Sequence, residues 1–208
     1  MESTTFIHRV YAWMCAGLAI TAITSFIVAS SQTLADIFLG NQIAFFGLII
    51  AELVLVIYLS RAARKLSATQ AGLLFVLYAF LNGLTLSFIF LAYDISSIGN
   101  AFLVSAGTFG IMAAYGYFTH KDLTSVGHLA MMGLVGVIIA YVANIFIGSA
   151  QANIVISFIG VLVFVGLTAY DMQRIKSMQA QPVIGALILY LDLINLFLNI
   201  LNLTGKRR

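Results

Sequence analysis

Residues 186–203 read ALILYLDLINLFLNILNL, and only Asp192, Asn195, Asn199 and Asn202 are strongly polar among them. The run has the length and apolarity of a membrane-spanning helix. The four polar residues are spaced i, i+3, i+7, i+10. At 3.6 residues per turn they share one helix face, within about 80° of arc. A carboxylate in mid-membrane costs roughly 2.5–3.5 kcal/mol on insertion scales, so Asp192 must face a partner or a water-filled cavity. It is the first candidate for a functional residue.

Six further apolar runs precede this one. The seven are drawn at 10–30, 41–60, 70–92, 99–119, 126–148, 153–171 and 184–204. Each is near the ~20 residues needed to span. None alternates with period two, so the backbone must be satisfied within helices and not in a barrel. The expected fold is all-α: one polytopic transmembrane domain over residues 1–208. Composition agrees. The 208 residues are 62% hydrophobic and 8% charged, against about 25% charged in soluble domains. Their mean hydropathy is +1.07. The net charge of +3 is scattered over connectors and argues against nucleic-acid binding. There is no zinc-type Cys/His spacing and no phosphate-binding glycine loop, so no cofactor is expected.

The N-terminal run, at about 20 residues, exceeds a signal peptide's apolar core and reads as a retained first helix. Cys15, the only cysteine, is expected to be a buried thiol. Arg9, Arg61, Arg64, Lys65, Lys121, Arg174 and Lys176 flank alternate connectors, and the opposite connectors carry Asp36 and Asp94 with no Lys or Arg. This bias predicts a cytoplasmic N-terminus. Lys206, Arg207 and Arg208 then fall on the wrong side. Either the last helix spans against the rule, which is the favoured reading, or it is re-entrant. Gly127, Gly133, Gly136, Gly160 and Gly166 read as close-packing positions between helices. His120 and His128 read as solvated residues of the fourth connector.

Glu52, Asp171 and Asp192 are the acidic residues in or at the edge of spans. Taken singly, Asp171 could be an interfacial partner of Arg174, and Glu52 a hydrogen-bonded packing carboxyl. The sixth and seventh helices are consecutive, so Asp171 and Asp192 can approach each other. Two carboxyls in a dry site cannot both ionise cheaply. They hold one proton between them and titrate as a unit. Such a pair suits a pH sensor. Asp171, Asp192, Glu52, Asn195 and Asn199 also offer oxygens to a hard cation. They are too few for a tight Ca²⁺ cage, but they suit a transient, hydrated permeation site.

Two C-terminal stretches carry a resemblance. They are Ala169–Tyr170–Asp171–Met172–Gln173–Arg174–Ile175 and Leu189–Tyr190–Leu191–Asp192–Leu193–Ile194–Asn195–Leu196–Phe197. With Asn82–Gly83–Leu84–Thr85, Glu52 and the basic connector after it, the chain resembles a bacterial member of the Bax inhibitor family (the transmembrane Bax inhibitor motif group). The resemblance implies seven helices with the last one central. It also implies a pH-sensitive calcium leak channel of the inner membrane. An aspartate pair matching Asp171 and Asp192 would be its sensor, and an arginine after the second helix its latch. Either Arg61 or Arg64 aligns with that latch.

A rival class is a membrane interaction protein that modulates a membrane-anchored AAA protease or a stress response. Enzymatic activity is not expected. An intramembrane aspartyl protease would need Gly-x-Gly-Asp, and Asp192 follows Tyr190–Leu191 instead.

Overall fold

The computed structural model describes residues 2–62, 65–177 and 181–208. These residues form helices α1 (Glu2–Ser30), α2 (Gln32–Phe38), α3 (Gln42–Ala62), α4 (Ala68–Leu86), α5 (Phe88–Ala92), α6 (Ile95–Phe118), α7 (Thr124–Ile147), α8 (Ala150–Ser177) and α9 (Pro182–Thr204). The only β-pairing among them is an isolated bridge, Tyr93 to Arg207. Seven stretches are long and apolar enough to cross a bilayer, with α4 and α5 together forming the third. The all-α polytopic fold expected from the hydropathy pattern is therefore what the chain adopts.

Helix ends follow local chemistry. Ser67 and Gln70 form a capping box at the start of α4, in which each side chain takes up the other's orphan N–H. Pro182 opens α9, where its missing N–H costs nothing. Gly148 ends α7 at φ 67°, a left-handed conformation that glycine adopts without strain. The third span breaks at Ser87, whose hydroxyl donates to Leu84 O at 2.6 Å.

The described residues divide into two compact units. One comprises Met1–Asp94, Ala180–Tyr190 and Arg207–Arg208; the other comprises Ile95–Gln179 and Leu191–Lys206. Helix α9 contributes to each. It is the most enclosed span, with 78% of its apolar window buried, against 6% for α3.

In the first unit, α1 lies along α4. Ser25 Oγ donates to Gly83 O at 2.9 Å, and Thr21 Oγ1 donates to Ala79 O at 2.8 Å. A Cβ added to Gly83 would press on Thr24 at 2.6 Å. The same unit settles the course of α9. At its start, Gln181 Nε2 donates to Leu66 O in the α3–α4 connector. Beyond its end, Arg208 N donates to Ala92 O at 3.0 Å and Arg208 pairs with Asp94 at 3.4 Å. Arg207 lies over the Tyr93 ring. Helix α9 is thus one continuous helix from the end of α4–α5 nearest Leu66 to the end nearest Asp94. It runs the length of a span and does not turn back. The tail that breaks the charge rule has a carboxylate partner where it lands.

In the second unit, α8 packs between α6 and α7 through glycines. A Cβ on Gly116 would overlap the Ala169 carbonyl oxygen, and one on Gly127 would overlap the Tyr170 ring. Gly133 meets Val163, and Gly160 meets the Asn199 side chain. Gly136 departs from the expectation: nothing lies within 4 Å of its Cβ position. Gly116→Ala must push two helix backbones apart. We expect a loss of about 1–3 kcal/mol, measured by thermal unfolding in detergent. Gly136→Ala should be neutral or stabilising, since it removes a glycine from a helix without a clash.

Other expectations are corrected. Cys15 is exposed and not buried. In lipid the outer surface is as apolar as the core, so an apolar run does not say which face a thiol occupies. The first connector contains α2, started by Ser31. His128 lies inside α7 and not in the connector, although it is exposed like His120. The sixth helix does not stop at Asp171. It continues to Ser177, because the polar segment MQRIKS is still good helix sequence.

Candidate functional site

Asp171 lies six residues before the end of α8, about 9 Å of rise, and Asp192 ten residues into α9, about 15 Å. Both carboxyls are thereby set back from the α8–α9 connector. Asp171 is 7% exposed and Asp192 4%. Asp192 lies within electrostatic reach of the Asp171 charge. Asp192 Oδ2 is buried without a hydrogen-bond partner among the described residues. Asp171 Oδ1 has a cation at hand, Arg174 Nη1 at 4.0 Å, whose side chain is 48% exposed. One acid thus faces a solvated arginine, while the other has an orphan oxygen in a closed setting.

Neighbouring contacts hold Asp171 in place. Gly116 and Gly127 let α6 and α7 close on Ala169 and Tyr170, the two residues before it. Two residues after it, Gln173 clips the α6–α7 connector. Its Oε1 accepts from Leu123 N at 2.9 Å, and its Nε2 donates to Lys121 O at 2.8 Å. Lys176 Nζ donates to Tyr117 O at 2.8 Å and sits over that tyrosine's ring. In the same connector, Asp122 Oδ1 accepts from the Thr124 hydroxyl at 2.6 Å and the Thr124 N–H at 2.9 Å. These two bonds hold the Asp122 carboxyl below the ordinary carboxylate range.

The polar stripe of α9 continues from Asp192 as an amide ladder. Asn195 Nδ2 donates to Leu191 O and Asn199 Nδ2 to Asn195 O, each at 2.8 Å. Tyr141 OH on α7 donates to Asn199 Oδ1 at 2.9 Å. Asn202 Nδ2 donates to Ser157 Oγ at 2.6 Å, and Asn153 Nδ2 donates to Asn202 Oδ1 at 3.0 Å. The stripe therefore faces polar residues of α7 and α8. Tyr141, Asn153 and Ser157 were missed in the sequence. Their signal was uncharged polar residues inside apolar runs, a weaker mark than a carboxylate.

Glu52 belongs to a separate cluster in the first unit. It is half-buried on α3, and both its oxygens are engaged. Asn82 Nδ2 donates to Oε2 at 2.9 Å, and Thr85 Oγ1 donates to Oε1 at 2.6 Å. Tyr190 OH donates to Asn82 Oδ1 at 2.9 Å and touches Thr21 Oγ1 at 2.6 Å. Asn82 Oδ1 and Ala79 O only accept in this arrangement. Thr21 and Tyr190 bring two hydroxyl protons to three contacts, so one contact lacks a proton.

Arg61 stands exposed in the last turn of α3, and Arg64 lies outside the described residues. No group of three or more His, Cys, Asp or Glu side chains converges on a metal-sized site among the described residues.

Residues 3–208 match the family described as "Inhibitor of apoptosis-promoting Bax1". The chain belongs to the Bax inhibitor family. This Bax inhibitor family chain is 44% identical to the inner membrane protein YbhL of Escherichia coli (strain K12), over 98% of its own length and 92% of that relative's. It is 43% identical to an uncharacterized protein of Deinococcus radiodurans and 41% identical to one of Borreliella burgdorferi. Each of these alignments spans 98% of this chain, and 91% and 92% of the respective relatives. The seven apolar helices and the likeness to an inner membrane protein support a multi-pass inner-membrane location for this family member.

Proposed function

We propose that this protein is a calcium leak pathway whose open population follows pH, with Asp171 and Asp192 as the sensor. The supporting observation is the burial of two acidic side chains, within each other's electrostatic reach, on consecutive helices of one unit. Acids are rare and costly inside spans, and those retained there mark ion or proton pathways. Two such groups sharing a site release their protons in coupled steps. Loading or removing one proton changes the charge at Asp192, whose Oδ2 has no hydrogen-bond partner among the described residues. The amide ladder from Asn195 to Asn199 supplies side-chain oxygens for a hydrated cation passing through, in a site too sparse to trap one. Arg61 or Arg64 is the latch candidate. The basic connectors put the N-terminus in the cytoplasm in this reading. Catalysis has no part in it.

The test is Ca²⁺ flux into proteoliposomes between about pH 6 and 8, a window around histidine's ordinary value and well above a free carboxylate's. We expect pH-dependent flux in the wild type and a flattened profile in Asp171→Asn. Arg61→Gln should raise flux at the pH where the wild type is closed. Absence of flux above empty liposomes at every pH would sink the proposal. It would favour an interaction protein, to be tested by co-purification with a membrane-anchored AAA protease.

A further inference from the structure

Helix α3 is the least enclosed of the spans, and Leu59 is its one buried residue. A groove of about 730 Å³ runs along its C-terminal half. Val54, Ile57 and Tyr58 form one end, all at least half exposed. Arg61, Lys65 and Gln70 form the other. Val54, Ile57, Tyr58 and Arg61 recur on α3 at i, i+3, i+4 and i+7, so this part of the groove follows a single helix face, and Lys65 joins it from the turn beyond α3. It changes from apolar to cationic over the roughly 10 Å between Val54 and Arg61. No acidic residue lines it among the described residues. Gln70 lies in the first turn of α4, so the positive end of that helix's dipole adds to the two side-chain charges. The cationic end is also braced. Gln181 holds the Leu66 carbonyl, next to Lys65, and the Ser67–Gln70 capping box fixes the turn that follows.

We infer that this groove is a binding site for one anionic phospholipid, with its phosphate between Arg61 and Lys65 and an acyl chain along Val54, Ile57 and Tyr58. The polarity of the groove argues for this occupant. A soluble anion would use only the cationic end, and an uncharged lipid would leave two cations unpaired. An apolar partner helix would bury them. Arginine suits a phosphate because it offers two parallel N–H donors. The site lies within the first unit and does not depend on the calcium reading.

The test uses the full chain, delipidated in detergent. It is titrated with phosphatidylglycerol, phosphatidylcholine of the same chain length, and inorganic phosphate, and bound lipid is counted by native mass spectrometry. Phosphatidylglycerol should bind at least several-fold more tightly than phosphatidylcholine. Arg61→Gln and Lys65→Gln should each weaken it about fivefold, and the double variant roughly 25-fold, as expected for basic residues near an anionic lipid surface. Ile57→Trp fills the apolar end, leaves both charges, and should also lose the lipid. Lys121→Gln, the same charge change elsewhere, should bind as the wild type does. Equal binding of the two lipids would overturn the inference, as would an unchanged double variant. So would an equal loss in Lys121→Gln. Displacement of the lipid by inorganic phosphate, with Ile57→Trp unaffected, would mean a simple anion site and would overturn it too.

Discussion

Replacing Asp192 by leucine should make the protein more stable, while replacing it by asparagine should abolish the pH dependence of flux. Asp192 is 4% exposed and its Oδ2 has no partner among the described residues. An unsatisfied buried polar group costs roughly 1–3 kcal/mol. Leucine has no polar atom to leave unpaired and removes that cost. The expected result is a rise of several degrees in the unfolding midpoint in detergent, given about 2–4 °C per kcal/mol for chains of this size. Asparagine keeps the shape and removes the titration, so it is the better variant for flux. The remaining carboxyl, Asp171, has Arg174 beside it and, in the proposed sensor, loses the partner with which it would share a proton. Flux in Asp192→Asn should therefore be flat across the range in which the wild type responds. A lower midpoint in Asp192→Leu would show that the carboxyl supports the fold, and an unchanged pH profile in Asp192→Asn would remove it from the sensor.

Tyr190 should be the most sensitive position of the first unit. Its side chain is fully buried and packs edge-on to Phe75 and Tyr78, with ring centroids 5.7 and 5.9 Å away. Tyr190→Ala should cost about 3–5 kcal/mol, the range for deleting a buried aromatic ring. Tyr190→Phe keeps the ring and loses only the hydroxyl. Hydrogen bonds between membrane helices average about 0.6 kcal/mol and reach about 1.7, so this loss should fall in that range. Packing thus outweighs the polar contact several-fold. Glu52→Gln sharpens the point. A glutamine amide can donate to Asn82 with the Asn82 amide turned over. Asn82 then donates to Tyr190, and Tyr190 to Thr21, so that every contact in the chain has its proton. Thermal unfolding should show Glu52→Gln to be as stable as the wild type or more so. A large loss would mean that the ionised carboxylate is required.

The fold was legible because a bilayer imposes a length and a hydropathy on every crossing, and the seven runs meet both. Asp192 and the asparagine stripe were legible for the same reason, since polarity inside lipid stands out. Burial was not. Cys15 lies in a run as apolar as any, yet it faces outward, because lipid and protein core select the same residues. The extension of α8 beyond Asp171 was hidden by its charge, which resembles a connector although its residues are good helix formers. The Thr21–Tyr190–Asn82–Glu52 cluster draws on four helices. No single segment displays it, and its uncharged members blend with ordinary hydroxyls that bond back to their own helix.

Helix α9 supplies residues to each unit, and it is also the last of the seven spans in chain order. While a ribosome is still making the chain, six spans enter the bilayer without it. Asn82 and Thr21 then lack Tyr190, and Tyr141 and Ser157 lack Asn199 and Asn202. The half-made protein lacks these cross-links until synthesis has passed Tyr190, Asn199 and Asn202. Completion of either polar network therefore waits for the last of these seven spans, and a chain interrupted before that point carries a chemical mark of its incompleteness.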